Sequence, residues 1–237
     1  MNTYSVSRLA LALAFGVTLS ACSSTPADQQ PSTQTAPGTA SRPVLTADEA
    51  KNFLPASYFQ SLDPNAAAWT PSAISLPAQP DFVVGPAGTQ GVTHTTIQAA
   101  VDAAITRHSN RRQFIAIMPG EYAGTVYVPA APGALTLYGT GEKPIDVKIS
   151  AAIDSEMDPV SWRHQVNPGG KYMPGKPAWY MYDSCQNKRT ATIGVMCSAV
   201  FWSQNNDLQL QNLTIANNLG DSVDAGTHQA VALRSDG

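Results

Sequence analysis

The sequence predicts an all-β fold made of many short strands joined by tight turns. Three observations predict it. Leu208–Asn218, LQLQNLTIANN, alternates apolar and polar residues, with one polar step at Asn212 that marks a bend. It closes on Asn217 and Asn218, residues that tolerate turn conformations. Similar runs recur at Phe114–Met118, Val126–Val128, Leu135–Tyr138, Ile145–Ile149, Ala199–Trp202 and Ala230–Leu233. Only one long helical pattern is present, and it precedes the series. Short strands with Gly, Pro, Asn or Asp turns fit a sandwich, a barrel or a coiled β-solenoid. The motifs taken up below favour the solenoid.

The N-terminus reads as an address rather than as fold. Arg8 gives a short positive start, and Leu9–Leu19 is an apolar run. That run is shorter than the ~20 residues that span a bilayer, and it suits a signal-peptide core. Leu19-Ser20-Ala21-Cys22 resembles a bacterial lipobox, in which small residues fit the peptidase cleft and the Cys22 thiolate accepts a diacylglyceryl group. Residues 1–21 are thus expected to be a lipoprotein signal peptide, with Cys22 lipidated. An ordinary signal peptide cut at a small residue is the alternative. Ser23 after the cysteine favours, by analogy, an exported protein anchored in the bacterial outer membrane. Several acyl chains, at about 0.8 kcal/mol per buried CH₂, would hold it there.

Residues 22–43 are rich in Ser, Thr, Pro, Gln and Ala and cannot bury apolar surface, so they are expected to be a flexible tether. Residues 44–80 follow as an extended wrapping segment. Within it, Thr46-Ala47-Asp48-Glu49 has capping-box spacing and opens a short helix through Phe53, closed by Pro55. The proline-rich stretch Asp63–Pro80 offers Trp69 as a packing anchor.

Asp81–Val84 is a candidate first strand. Gly85–Gly91, GPAGTQG, lacks both Lys-Ser/Thr and GxGxxG and reads as a turn. Thr95–Thr106 is the helix: Ile97, Ala100, Val101, Ala104 and Ile105 form one apolar stripe, and Thr95 and Gln98 have capping-box spacing. A helix with one apolar face suits the open end of a solenoid. Then come Phe114–Met118, a turn at Pro119–Tyr122, Val126–Val128, a turn at Pro132-Gly133, and Leu135–Gly141.

Composition narrows the function classes. The chain has 237 residues, 43% of them apolar, 13% charged, and a net charge of -3. That is enough for one sizeable domain. No basic stripe is present, which speaks against a nucleic-acid partner. Cys185 and Cys197 remain as an even pair in an exported chain; a disulfide closing this short loop is favoured over two buried thiols. His94, His108, His164 and His228 are scattered without metal-ligand spacing, so neither a metal nor a cofactor is expected. No G-x-S-x-G elbow supports a serine esterase, and Asp221 and Asp224 read as a polar turn. Asn212-Leu213-Thr214 matches a glycosylation sequon but falls within a predicted strand.

Five segments in order carry a resemblance: TTIQAAVDAA at Thr95–Ala104, FIAIMPGEY at Phe114–Tyr122, LTLYGTG at Leu135–Gly141, LQNLTIANN at Leu210–Asn218 and HQAVALR at His228–Arg234. Together they resemble the pectinesterase family, a carbohydrate esterase family, from Thr95 to the end apart from the middle segment. The pattern also resembles an enterobacterial outer-membrane lipoprotein of this family, to which acyl-CoA thioester hydrolysis is only provisionally assigned. The resemblance implies a right-handed parallel β-helix, pectin-lyase-like, of which residues 81–237 would be the N-terminal portion, capped by the one amphipathic helix. It implies an aspartyl esterase that removes methyl esters from galacturonate: one Asp attacks, a second is general acid then base, an Arg orients, and two Gln hold the oxyanion. Gln229 matches the first oxyanion glutamine. The Asp pair and the Arg have no match in this sequence, which on this expectation is an N-terminal fragment, monomeric when intact.

The 151–197 segment departs from the family pattern. Its Trp162, Trp179 and Tyr180, with Tyr182, His164, Lys171 and Lys176, would stack on sugar rings and pair with uronate carboxylates, or else would form the loop's own small core. The hydroxyl-poor Val195–Trp202 run departs too, and leaves a second expectation open: hydrolysis of acyl thioesters such as acyl-CoA on the same scaffold. A third is a non-catalytic envelope lipoprotein that binds polysaccharide.

Overall fold

The computed structural model describes residues 44–54, 73–219 and 228–236. Cys22, the leader, the tether, Pro55, Trp69, Asp221 and Asp224 lie outside the described residues. The chain divides into two compact units, Met1–Pro71 and Ser72–Gly237. In the first, α1 (Ala47–Ala50) runs into a 3-10 turn at Lys51–Phe53. The Thr46 hydroxyl accepts from the Glu49 amide, and the Glu49 carboxylate accepts from the Thr46 amide at 2.9 Å, the reciprocal cap its sequence predicts.

The described residues of the second unit form ten strands: β1 (Phe82–Val84), β2 (Gln113–Ile117), β3 (Gly120–Ala123), β4 (Val126–Val128), β5 (Leu135–Gly139), β6 (Val147–Ala151), β7 (Phe201–Ser203), β8 (Leu208–Gln211), β9 (Thr214–Asn217) and β10 (Leu233–Ser235). They form three sheets, in the orders β1-β2-β5-β8, β3-β6-β9 and β4-β7-β10. Every pairing between these strands is parallel. The chain visits the sheets in rotation, so β2-β3-β4, β5-β6-β7 and β8-β9-β10 are successive coils. This is a parallel β-helix.

Register explains the core. Phe82, Ile115, Leu137 and Leu210 lie in one file, and Tyr122, Ile149 and Ile215 in a second. A β-strand sends alternate side chains to opposite faces, so each file points the same way in every coil. The files meet in one apolar cluster, which Ile97, Ala100, Val101 and Ala104 of α2 (Ile97–Thr106) also enter.

Asn212 makes the bend between β8 and β9. It is left-handed, with φ 51°, and its amide donates to the carbonyls of Gly139 at 3.1 Å and Gly141 at 2.6 Å. A Cβ on Gly139 would sit 2.0 Å from the Asn212 carbonyl oxygen, so only glycine lets the coils approach here. Asn217 serves the next corner: its amide donates to Ile153 O at 2.8 Å and Ser198 O at 3.1 Å, while its oxygen accepts from the Ile153 amide.

Several expectations need correction. Pro119–Tyr122 is not a turn: Gly120 and Tyr122 belong to β3, which pairs with β6. Ile145 does not start a strand. It lies in a 3-10 turn at Pro144–Asp146, 60% exposed, because proline fixes the local backbone and β6 begins only at Val147. β7 and β10 begin later than the runs Ala199–Trp202 and Ala230–Leu233 suggest, at Phe201 and Leu233. Thr96, not Thr95, caps α2, accepting from the Ala99 amide at 3.2 Å. Gln98 is drawn inward instead: it accepts from the Tyr127 amide at 2.8 Å and donates to the Tyr127 carbonyl and Asp102.

The segment between β6 and β7 is not a plain loop. It folds into α3 (Pro159–Val166) and α4 (Trp179–Gln186) around a second core. Cys185 and Cys197 are joined in a disulfide. Its loop is short, with a sequence separation of 12. Cys185→Ser is expected to lower stability by about 3 kcal/mol through the freer unfolded chain. Urea unfolding checks this: fully reduced wild type should melt with the variant, and an oxidised wild type no more stable than either rejects it.

Candidate functional site

Gln229 enters the structure just ahead of β10. Its side chain is exposed, while its backbone is held on both sides by Ser155. The Ser155 amide donates to the Gln229 carbonyl at 2.9 Å, and the Gln229 amide donates to the Ser155 hydroxyl at 3.1 Å. Beside this bridge, the His228 ring pairs through Nδ1 with the Asp154 carboxylate. Burial raises the Asp154 pKa, but the Glu156 amide and His228 outweigh it and hold the group below the usual carboxylate range. Ser155 and His228 both meet Asp154.

The inserted segment lies against the outward residues of the third sheet. The rings of Trp162 and Tyr182 stack with centroids 5.2 Å apart, Tyr182 meets Tyr172 at 5.6 Å, and Tyr172 meets Tyr127 of β4 at 4.7 Å. Tyr127 then meets Trp202 of β7 edge-on at 5.5 Å, and the Arg234 guanidinium of β10 lies 4.2 Å above Trp202. One aromatic column thus runs from the insertion across the first two coils, and the Arg234 guanidinium of the third closes it. Arg234 also donates to the Met196 carbonyl at 3.1 Å.

This arrangement sorts the candidate sugar platforms. Trp162 is fully buried, and its indole N–H donates to the Cys197 carbonyl at 2.9 Å. No ring face is left for a sugar, so its expected stacking role is corrected to a core role. Trp179 is half-buried and tilted on Tyr182. Tyr180 is 47% exposed, and its hydroxyl donates to Gln204 at 2.7 Å. Of the three, Tyr180 and Trp179 keep accessible surface.

Lys171 is not a free cation for a uronate. Its ammonium donates to the Thr125 carbonyl at 2.7 Å and hydroxyl at 3.2 Å. Burial pushes its pKa down to about 8, against a partial rise from Asp102. Lys171, Lys176, Asp102 and Met173 line a cleft of about 1200 Å³ between α2 and residues 168–177, and Gln229 is not among its walls. Among the described residues, no group of three His, Cys, Asp or Glu is placed to hold a metal. No described helix is long and apolar enough to cross a membrane.

The sequence singles out Gln229 by resemblance and pairs Cys185 with Cys197, as the disulfide bears out, but it does not point to the partners of Gln229. Asp154 and Ser155 lie 74 residues from His228 and Gln229. No periodicity links positions so far apart across an insertion.

No family model matches the chain. It is 78% identical over 237 residues to YbhC of Escherichia coli (strain K12), whose name provisionally assigns acyl-CoA thioester hydrolysis. That match covers all of this chain and 56% of the relative. The YbhC crystal structure superposes with a TM-score of 0.70, over 90% of this chain and 53% of that one. Pectinesterase B of Dickeya dadantii (strain 3937) is 48% identical over 244 residues, again all of this chain and 56% of the relative. The structure of rice weevil pectin methyl esterase is 40% identical with a TM-score of 0.61, covering 85% of this chain and 50% of that one. The chain spans about half the length of the relatives it matches.

Proposed function

Because the chain belongs to the pectinesterase-like family, we propose that it supplies the opening coils and one oxyanion donor of a carboxyl-ester hydrolase acting on methyl-esterified galacturonate in pectin. The coils turn right-handed, as nearly all parallel crossovers do, and α2 covers their first end. The observation that carries this reading is the state of Gln229: a fixed backbone with an exposed amide. An exposed amide carried on a fixed backbone can donate to the oxygen that gains charge when an ester carbonyl is attacked. The attacking carboxylate, the acid–base carboxylate and the orienting guanidinium are not assigned to residues of this chain. Cys22, lipidated, anchors the exported protein in the outer membrane.

The test is methanol release from methyl-esterified polygalacturonate by the full-length gene product. Release well above the rate of a nucleophile-Asp variant is expected, and equal rates reject the pectin reading. A thioester is the second reading. It is favoured by the apolar turn Val195–Cys197, where Met196 is 55% exposed and its carbonyl meets Arg234 of β10. Thiol release from acyl-CoA, absent at every chain length, sinks that reading.

A further inference from the structure

We propose that the 151–197 insertion is a positioning device for the reaction, and that Ser155 and Asp154 hold Gln229 in register for its oxyanion. This rests on the oxyanion reading of Gln229 above. Five contacts from the insertion and its exit converge on the short run ahead of β10. Ser155 clamps Gln229 twice, through its own amide and through its hydroxyl. Asp154 clamps the preceding residue, His228. The Ser198 hydroxyl accepts from the Val231 amide at 3.4 Å, and the Val200 amide donates to the Val231 carbonyl at 3.1 Å.

The clamp is itself braced. The Gly194 amide donates to the Ser155 carbonyl at 2.8 Å, and the Ile193 amide donates to the Met157 carbonyl at 2.9 Å. Asp154 accepts from the Glu156 amide at 3.0 Å. Residues 154–157 are thus tied to residues 193–194, three positions before disulfide-bonded Cys197. Gln229 has no described side-chain partner, so its amide is aimed by its backbone alone. A backbone held by Ser155 through both its amide and its carbonyl fixes the point from which that side chain projects. A shift of about 1 Å in a catalytic group can cost roughly a hundredfold in rate.

The experiment uses the full-length gene product, with methanol release from methylated polygalacturonate as the readout. Four variants are compared: Gln229→Ala, Ser155→Ala, Ser155→Thr and Asp154→Asn. Ser155→Ala removes only the hydroxyl clamp, and is expected to lower kcat by roughly ten- to a hundredfold with KM little changed. Ser155→Thr keeps the hydroxyl and should recover most of the rate. Asp154→Asn should lower kcat in the same direction. Thermal melting of each variant separates this from a stability effect. A folded Ser155→Ala protein with wild-type kcat, beside a slow Gln229→Ala protein, overturns the positioning role alone. A Gln229→Ala protein with wild-type kcat overturns the oxyanion reading and the clamp with it. If Ser155→Ala does not fold, Asp154→Asn decides by the same kcat criterion.

Discussion

Trp162→Ala is expected to destabilise the second unit by about 4 kcal/mol, enough to unfold much of it at physiological temperature. The ring is fully buried and stacks on Tyr182 at 5.2 Å. Its removal leaves a cavity whose walls include Tyr182, which itself carries the column to Tyr172 and Tyr127. It also strands the Cys197 carbonyl, which accepts the indole N–H at 2.9 Å. A buried acceptor left without a partner costs roughly 1–3 kcal/mol by itself. Trp162→Phe keeps most of the volume and loses only the donor, so it should cost about half as much. Equilibrium urea unfolding measures both. A loss under about 1 kcal/mol for the alanine variant would mean that the ring is not part of the core.

Gln229→Ala is expected to leave stability unchanged and to lower kcat for ester hydrolysis by about 10²–10³-fold, the usual cost of one oxyanion donor. Its side chain is exposed, so little packing is lost. The two bonds to Ser155 are made by backbone atoms and survive the substitution. What disappears is one preorganised N–H donor, needed only when charge builds on the carbonyl oxygen. KM should therefore move little. Initial rates of methanol release, paired with a melting curve, check both halves. A wild-type rate strips Gln229 of the role.

The strands were legible where one face meets the core and the other does not. Leu208–Asn218 shows it: the residues read as one strand bent at Asn212, and the chain does turn there, but its two halves are separate strands, β8 and β9, in different sheets. β3 was misread because Pro119-Gly120 has turn composition, yet the Gly120 backbone is extended, with φ 159°. The helices of the insertion were missed for another reason. α3 and α4 have eight residues each, held by stacked aromatic rings and a disulfide rather than by a long apolar stripe. A signal was present: Asp158 caps α3, accepting from the Val160 and Ser161 amides, and Pro159 follows at the first helical position. Trp162 shows the limit of composition. An aromatic beside a cation looks alike whether it forms a platform for sugar or the centre of a small core, and only burial separates the two.

The insertion also sets an order of events during synthesis. The bond from Thr140 to Ile117 joins residues 23 apart, so the first two coils can begin pairing as they emerge. The matching bond from Asn212 to Gly139 spans 73 residues. Those residues include the oxidised module, whose compact form brings the two ends near each other and spares the nascent chain a long search. The third coil therefore seats itself late, after the segment that carries Cys185 and Cys197 has emerged.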